Sequence, residues 1–340
     1  MNNKLFNKLI EDENKSNDPL YKSGPMWSNQ NKKIAFQLKK NGLKDFRGIN
    51  SGVGSGYTDS ILYDVRNEIN IKGRIVSKFL SLPLINHLFN TQLKIFRGKI
   101  FQYLKLLDAS FANNGRVNEL INKYEFEKTT EFGCISKFKK NEKEYSCKYI
   151  TTADTIDLIS KKHDLNKIYK FFEIGGGFGS NIHFMLTNFK NIKKIIYLDV
   201  ASNLFVGTEY LRNFYGNSVK DYLQLCDKSV IKFEENDSLE IICIPPWMIK
   251  NLEIEIDHFH NSHSFVEMPK KSVENYVKYI NKFNTKEVSL VSYNTKTPHW
   301  EKPEDLNSLF QNKLEIEKYK TISMGYPINE NVHLTGFIKN

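Results

Sequence analysis

Beyond about Ile168 the chain alternates apolar runs of strand length with periodic segments of helix length, and this alternation restricts it to an α/β sheet. The spacing predicts strands over 169–174, 194–200, 239–244, 254–260 and 287–293, with helices over 180–189, 203–214 and 269–283. Pro245 and Pro246 stop the third strand. The short runs 321–324 and 332–338 are expected to close the sheet as an antiparallel pair around Pro327 and Asn329.

The first of these strands runs straight into glycines. In FFEIGGGFGSN, residues 171 to 181, Gly175, Gly176, Gly177 and Gly179 leave bare backbone N–H groups at the strand's C-terminal edge, where open α/β sheets bind ligands. Ser180 or Asn181 is expected to cap the helix that follows. A phosphate-binding P-loop needs Lys directly after the last glycine, and Ser180 stands there instead. The dinucleotide pattern GxGxxG fails at the same Ser180. What fits is Glu173 followed by Gly175, Gly177 and Gly179 at alternate positions. A cofactor with a ribose also needs a carboxylate at the end of the next strand, and IIYLDV supplies Asp199. A helix N-cap at Asp199 is compatible with that role, because an ionised carboxylate suits both.

Upstream of about residue 165 the pattern is mostly helix and loop, with one hairpin expected over 138–148 through Asn141 and Glu142. A length of 340 residues therefore divides into a mainly helical N-terminal region, 1–165, and a cofactor-binding sheet domain, 166–340. With 40% hydrophobic residues both have enough apolar material to fold. The first 24 residues lack the order of a signal peptide, which points to the cytoplasm. Cys134, Cys147, Cys226 and Cys243 form no CxxC pair and read as inert.

The net charge of +10 implies attraction to anions. Residues 73–107 carry Arg74, Lys78, Lys94, Arg97, Lys99 and Lys105 without an acid, interleaved with apolar residues. The plain reading is a pair of amphipathic helices packed on a core, and the alternative is a membrane-surface or RNA-binding face. No stretch interleaves aromatics and arginines as base-stacking platforms do, so nucleic acid is not the expected partner. The glycine-serine loop at 50–60 reads as a connector or a lid.

With those residues in place, the second half resembles the bacterial sugar O-methyltransferases, a branch of the class I S-adenosylmethionine (SAM) dependent methyltransferases. The resemblance rests on EIGGGFG (173–179), LDVASNLFVGTEYL (198–211), IPPW (244–247) and DHFHNSHSFVEM (257–268), and more thinly on DFRG (45–48). It implies a Rossmann-like, seven-stranded, mostly parallel sheet with helices on both faces. It also implies SAM as cofactor, with Glu173, Gly175 and Gly177 near the methionine moiety, Asp199 on the ribose, and Pro245 to Trp247 near the adenine. His258 and His260 depart from it, standing where aliphatic strand residues are expected.

Methyl transfer to an alcohol needs a base for the departing proton. The loop after the fourth strand offers Asn261, His263 and Glu267, with His263 the first candidate and Glu267 the second. Ser264 and Glu267 could instead form a capping box, but Pro269 places the helix start later. Asp257, His258, His260 and His263 suggest a metal, yet no third ligand on the face shared by His258 and His260 is assured, and no metal is expected. The expected acceptor is an anionic sugar derivative gripped by Arg74, Arg97 or Lys99. An oligomer and a peripheral membrane contact stay open. The rivals are an NAD(P)-dependent oxidoreductase, an RNA methyltransferase and a non-catalytic SAM-binding partner.

Overall fold

The computed structural model describes residues 3–16, 18–22, 25–43, 46–47, 114–134, 137–320, 322 and 330–338. The basic stretch 73–107 and the loop 50–60 lie outside the described residues. Among the described residues no helix is long and apolar enough to cross a membrane.

The chain divides into two compact units that interleave along the sequence. One comprises residues 1–35, 155–321 and 330–340, and the other 36–154 and 322–329. The divisions between the units fall inside two helices, α2 (Pro25–Asn41) and α4 (Cys147–Ser160). The first 35 residues belong with the sheet for a packing reason. Helix α1 (Asn3–Lys15) buries Leu5, Phe6 and Leu9, and Phe6 meets Phe205 edge-on at 5.1 Å.

The sheet is built from β3 (Lys170–Ile174), β4 (Lys194–Leu198), β5 (Val219–Lys220), β6 (Glu240–Ile244), β7 (His258–Ser262), β8 (Glu287–Tyr293), β9 (Glu315–Lys320) and β10 (Glu330–Phe337). Their order is β5-β6-β4-β3-β7-β8-β10-β9. All neighbours pair in parallel except β10, which runs antiparallel to both β8 and β9. This is an α/β, Rossmann-like sheet, and it has eight strands where seven were expected. The additional strand is the two-residue β5 at one edge. At the other edge, the partner of β10 is β9 and not 321–324, most of which lies outside the described residues.

Helices cover both faces. Strand order reverses about β3, so right-handed crossovers place α5 (Ser180–Asn188) and α6 (Ala201–Tyr215) opposite α8 (Lys270–Lys282), with the short α7 (Tyr222–Leu225) between β5 and β6 in the chain. The packing agrees: Tyr197 lies under Gly207 of α6, while Phe172 meets Phe283, past the end of α8, at 6.0 Å on the other face. Strands β4 and β6 are buried at every position, as parallel strands between two helical layers must be.

Strand β7 starts later than expected and extends through polar residues. Asp257 accepts the backbone N–H groups of Tyr169 and Lys170 at 3.0 and 2.8 Å, anchoring the chain just before the strand. Helix α8 follows Pro269, which is its N-cap, in keeping with the helix start expected there.

The second unit, in its described part, contains α3 (Gly115–Lys123) and the hairpin β1 (Phe138–Lys140) with β2 (Lys143–Tyr145), turning through Asn141 and Glu142 as expected. Arg47 of the DFRG motif is fully buried there. Its guanidinium donates to Thr129 O at 2.9 Å, Glu131 O at 3.3 Å and Ser146 Oγ at 2.8 Å, and lies over the Tyr149 ring. Phe46 and Arg47 are both fully buried in this unit.

Candidate active site

The turn after β3 is shaped for close approach. Gly175, Gly177 and Gly179 all have positive φ, at 74°, 62° and 84°, a region that costs any side chain with a Cβ. A Cβ at Gly175 would strike the Ser264 side chain, and one at Gly176 would lie 2.5 Å from Glu173 Oε2. The helix α5 that follows takes Gly179 as its N-cap with no side-chain hydrogen bond. The expected cap at Ser180 or Asn181 is therefore not made. Asn181 instead turns inward and donates to Glu173 Oε1 at 2.6 Å, holding the fully buried carboxyl beneath the turn.

Asp199 follows β4 and reaches across to the glycines. Its Oδ2 accepts the Gly177 N–H at 2.9 Å and its Oδ1 accepts the Val200 N–H at 2.8 Å. The N-cap of α6 is Val200, so Asp199 is not a helix cap. Burial pushes its carboxyl up to about 7; the two backbone donors and the Asn203 side chain oppose the rise, and the nearby Glu267 carboxylate adds to it. Asp199 follows β4 and Glu267 lies beyond β7, so both stand past the C-terminal ends of parallel strands.

Pro245 is buried after β6 and is the N-cap of a 3-10 turn, Pro246–Asn251. Trp247 in this turn donates from Nε1 to the Tyr222 hydroxyl at 3.3 Å, and Tyr222 donates in turn to Asp12 Oδ2 at 2.7 Å. The ring of Trp247 is thereby fixed edge-on to Tyr222.

After β7 the candidate base residues separate in character. Asn261 is consumed in holding the loop: its Nδ2 donates to Ile174 O at 2.8 Å and its Oδ1 accepts the Phe265 N–H at 3.0 Å. His263 adopts a left-handed conformation with φ 68° and stacks on the exposed Tyr293 at 4.0 Å between ring centres. Glu267 closes a 3-10 turn, Ser264–Glu267, and accepts the Trp27 indole N–H at 2.6 Å. Burial raises its carboxyl above the ordinary carboxylate value, and the Trp27 hydrogen bond partly offsets this.

Trp27 and Asn31, both on the first turns of α2, join the site without having been singled out from the sequence. Ser202, three residues beyond Asp199, donates to Asn31 O at 3.3 Å. The Asn31 side chain is 5% exposed, and neither its Nδ2 nor its Oδ1 meets a hydrogen-bond partner among the described residues. No sequence signal separates these two residues from ordinary amphipathic helix. The signal is spatial: the start of α2 bridges the loop carrying Glu267 and the helix that follows Asp199.

His258 and His260 are fully buried on the sheet face. His258 sits at the opposite end of β7 from Asn261, bonded to Glu287 and Ser289, and His260 donates to Ser289 O at 3.1 Å.

No protein-family model and no curated protein sequence matches the chain. Among solved structures, magnesium protoporphyrin IX methyltransferase (ChlM) from Synechocystis PCC 6803 with bound SAM overlaps 55% of this chain and 79% of its own, at 9% identity and a TM-score of 0.38. The pyocyanin biosynthetic protein PhzM overlaps 56% of each chain, at 10% identity and a TM-score of 0.39. The methyltransferase domain of bacterial CtHen1 overlaps 53% of this chain and 95% of its own, at 12% identity and a TM-score of 0.36. At such scores the overlaps bear on neither chemistry nor substrate, and the fold rests on the strand order itself.

Proposed function

We propose that this chain is a SAM-dependent methyltransferase that places a methyl group on a sugar hydroxyl. The observation that carries the cofactor reading is the glycine turn closed by Asp199. A bare-backbone cradle at the C-terminal edge of β3 is tied to a buried carboxylate at the end of the neighbouring strand, which suits a ligand with a ribose diol. The residues fit such a ligand in one further way. The buried amide of Asn31 is left for a ligand to satisfy. In this reading Glu173 and the glycines hold the methionine end, Asp199 the ribose, and Pro245 with Trp247 line the adenine side.

When bound, SAM supplies an already activated methyl group. The chain's own task is to align an acceptor oxygen and take its proton. Glu267 is the stronger base of the two candidates. Burial raises its proton affinity, and the Trp27 N–H holds one carboxyl oxygen in place. His263 ranks second because its ring is stacked on Tyr293 at the surface. The start of α2, with Trp27 and Asn31, is the described element best placed to exclude water from the reacting groups.

The sugar acceptor rests on the sequence motifs, and its anionic character on the net charge of +10. Methyl-labelled SAM offered with a panel of nucleotide sugars, lipid-linked sugars and glycans tests this. Label recovered on a sugar hydroxyl supports the reading. Label on RNA alone, or binding of NAD(P) in place of SAM, contradicts it.

A further inference from the structure

At the N-terminal end of the parallel strands, away from the glycine turn, the sheet face holds buried polar groups that the proposed reaction does not use. Strand register puts His258 beside Glu287 and His260 beside Ser289, with Thr335 of β10 beside Ser289 in turn. His163, in the turn after α4, descends onto the same spot. Its side chain is 1% exposed and that of His258 0%, whereas Glu287 at 17% keeps a path to solvent.

One carboxylate oxygen faces two imidazole nitrogens. His163 Nδ1 lies 3.0 Å and His258 Nδ1 3.2 Å from Glu287 Oε2, and the three atoms all fall within 4.8 Å of one another. His258 is aligned to donate a hydrogen bond to that oxygen. His163 Nδ1, equally close, is off the hydrogen-bond axis and has no other partner among the described residues. A buried nitrogen held against an oxygen without a shared proton is unfavourable unless a cation sits between them.

The outer nitrogens are also arranged for this. His163 Nε2 meets the Thr335 hydroxyl, and His258 Nε2 meets Ser289 Oγ at 2.8 Å. Hydrogen bonds on Nε2 fix both rings and leave each Nδ1 available to an ion held beside Glu287 Oε2, which is how metal-bound imidazoles are oriented by their surroundings. Ligand atoms about 2.0 to 2.1 Å from a tetrahedral zinc ion are roughly 3.4 Å apart, close to the 3.0 and 3.2 Å that separate Glu287 Oε2 from the two imidazole nitrogens.

We propose that His163 Nδ1, His258 Nδ1 and Glu287 Oε2 bind one divalent zinc ion, which braces the N-terminal end of β7 and β8 against the turn after α4. Two imidazoles and one carboxylate form a three-ligand set that leaves a fourth position to water. Asp257 takes no part, since its oxygens are occupied by two backbone N–H groups and by Lys286.

The test uses the full chain, freed of metal with a chelator and titrated with Zn²⁺, then with Co²⁺ as a spectroscopic probe. The expected result is one ion per chain, a rise in melting temperature, and X-ray absorption showing only nitrogen and oxygen neighbours. Ser289→Ala and Thr335→Ala, which leave the ligands in place, should weaken zinc roughly 10- to 100-fold. Glu287→Gln should abolish stoichiometric binding. The proposal is overturned by no stoichiometric uptake in the wild-type chain, by sulfur in the coordination shell, or by undiminished affinity in a folded Glu287→Gln or His163→Gln variant.

Discussion

The two ends of one sheet face treat buried charge in opposite ways. At the C-terminal end, burial raises the carboxyl of Asp199 to about 7 and that of Glu267 above its ordinary value. At the N-terminal end, burial pushes Glu287 up as well, but His163 and His258 outweigh it and hold that carboxyl down at about 2. His333 nearby is also pushed down, to about 3, chiefly by burial and then by the charge of its neighbours. The difference is one of balance: at Asp199 burial outweighs the hydrogen bonds that oppose it, whereas at Glu287 the two imidazoles outweigh burial.

The largest effect expected from this contrast is on turnover. Glu267→Gln should lower kcat by about 10² to 10⁴ while SAM affinity changes little, because the group acts on the acceptor's proton. His263→Ala should cost far less. If His263→Ala gives the greater loss in steady-state assays, the two roles are exchanged.

Next in size is the cofactor carboxylate. Asp199→Ala removes an acceptor of hydrogen bonds to a charged group, and SAM should bind tenfold or more weakly in calorimetry on the folded variant. The raised carboxyl adds a pH dependence. A ribose diol donates to the ionised form, so affinity should be level above about 7 and fall by up to roughly tenfold for each unit below it. An affinity independent of pH between 5.5 and 8 would show that Asp199 does not gate binding.

The histidine end supplies the smallest effect and the opposite sign. His333 is fully buried, and neither ring nitrogen has a hydrogen-bond partner among the described residues. Its folded value lies below its unfolded one, so the unfolded chain takes up a proton below about 6.5 that the folded chain refuses, and stability falls with pH there. His333→Leu should remove that dependence. In urea melts its advantage over the wild type should widen by about 1 kcal/mol per pH unit below about 6.5. A constant gap between pH 5 and 8 would contradict the account of this end.

The same contrast governs what could be read from the sequence. The glycine turn and Asp199 were legible because their signals are local: glycines in a strand-to-helix turn, then an acid at the end of the next strand. Strand β9, EIEKYK, was missed because an edge strand carries charges that discourage pairing with other chains, and so lacks the apolar run that marks a buried strand. Strand β5 was missed because two residues carry no periodicity. His258 and His260 looked like interruptions of an apolar strand. The register shows why they are tolerated, since Glu287 and Ser289 on the neighbouring strand answer them. Trp27, Asn31 and His163 were invisible as site residues, because each reaches its partners across long stretches of chain.

The most direct test of the central claim is calorimetric titration of SAM into the full chain at pH 8, alongside NAD(P) and the Asp199→Ala variant. The account predicts one SAM site per chain, no binding of NAD(P), and affinity reduced tenfold or more by the substitution. Failure of SAM to bind, or equal affinity in a folded Asp199→Ala chain, would contradict it.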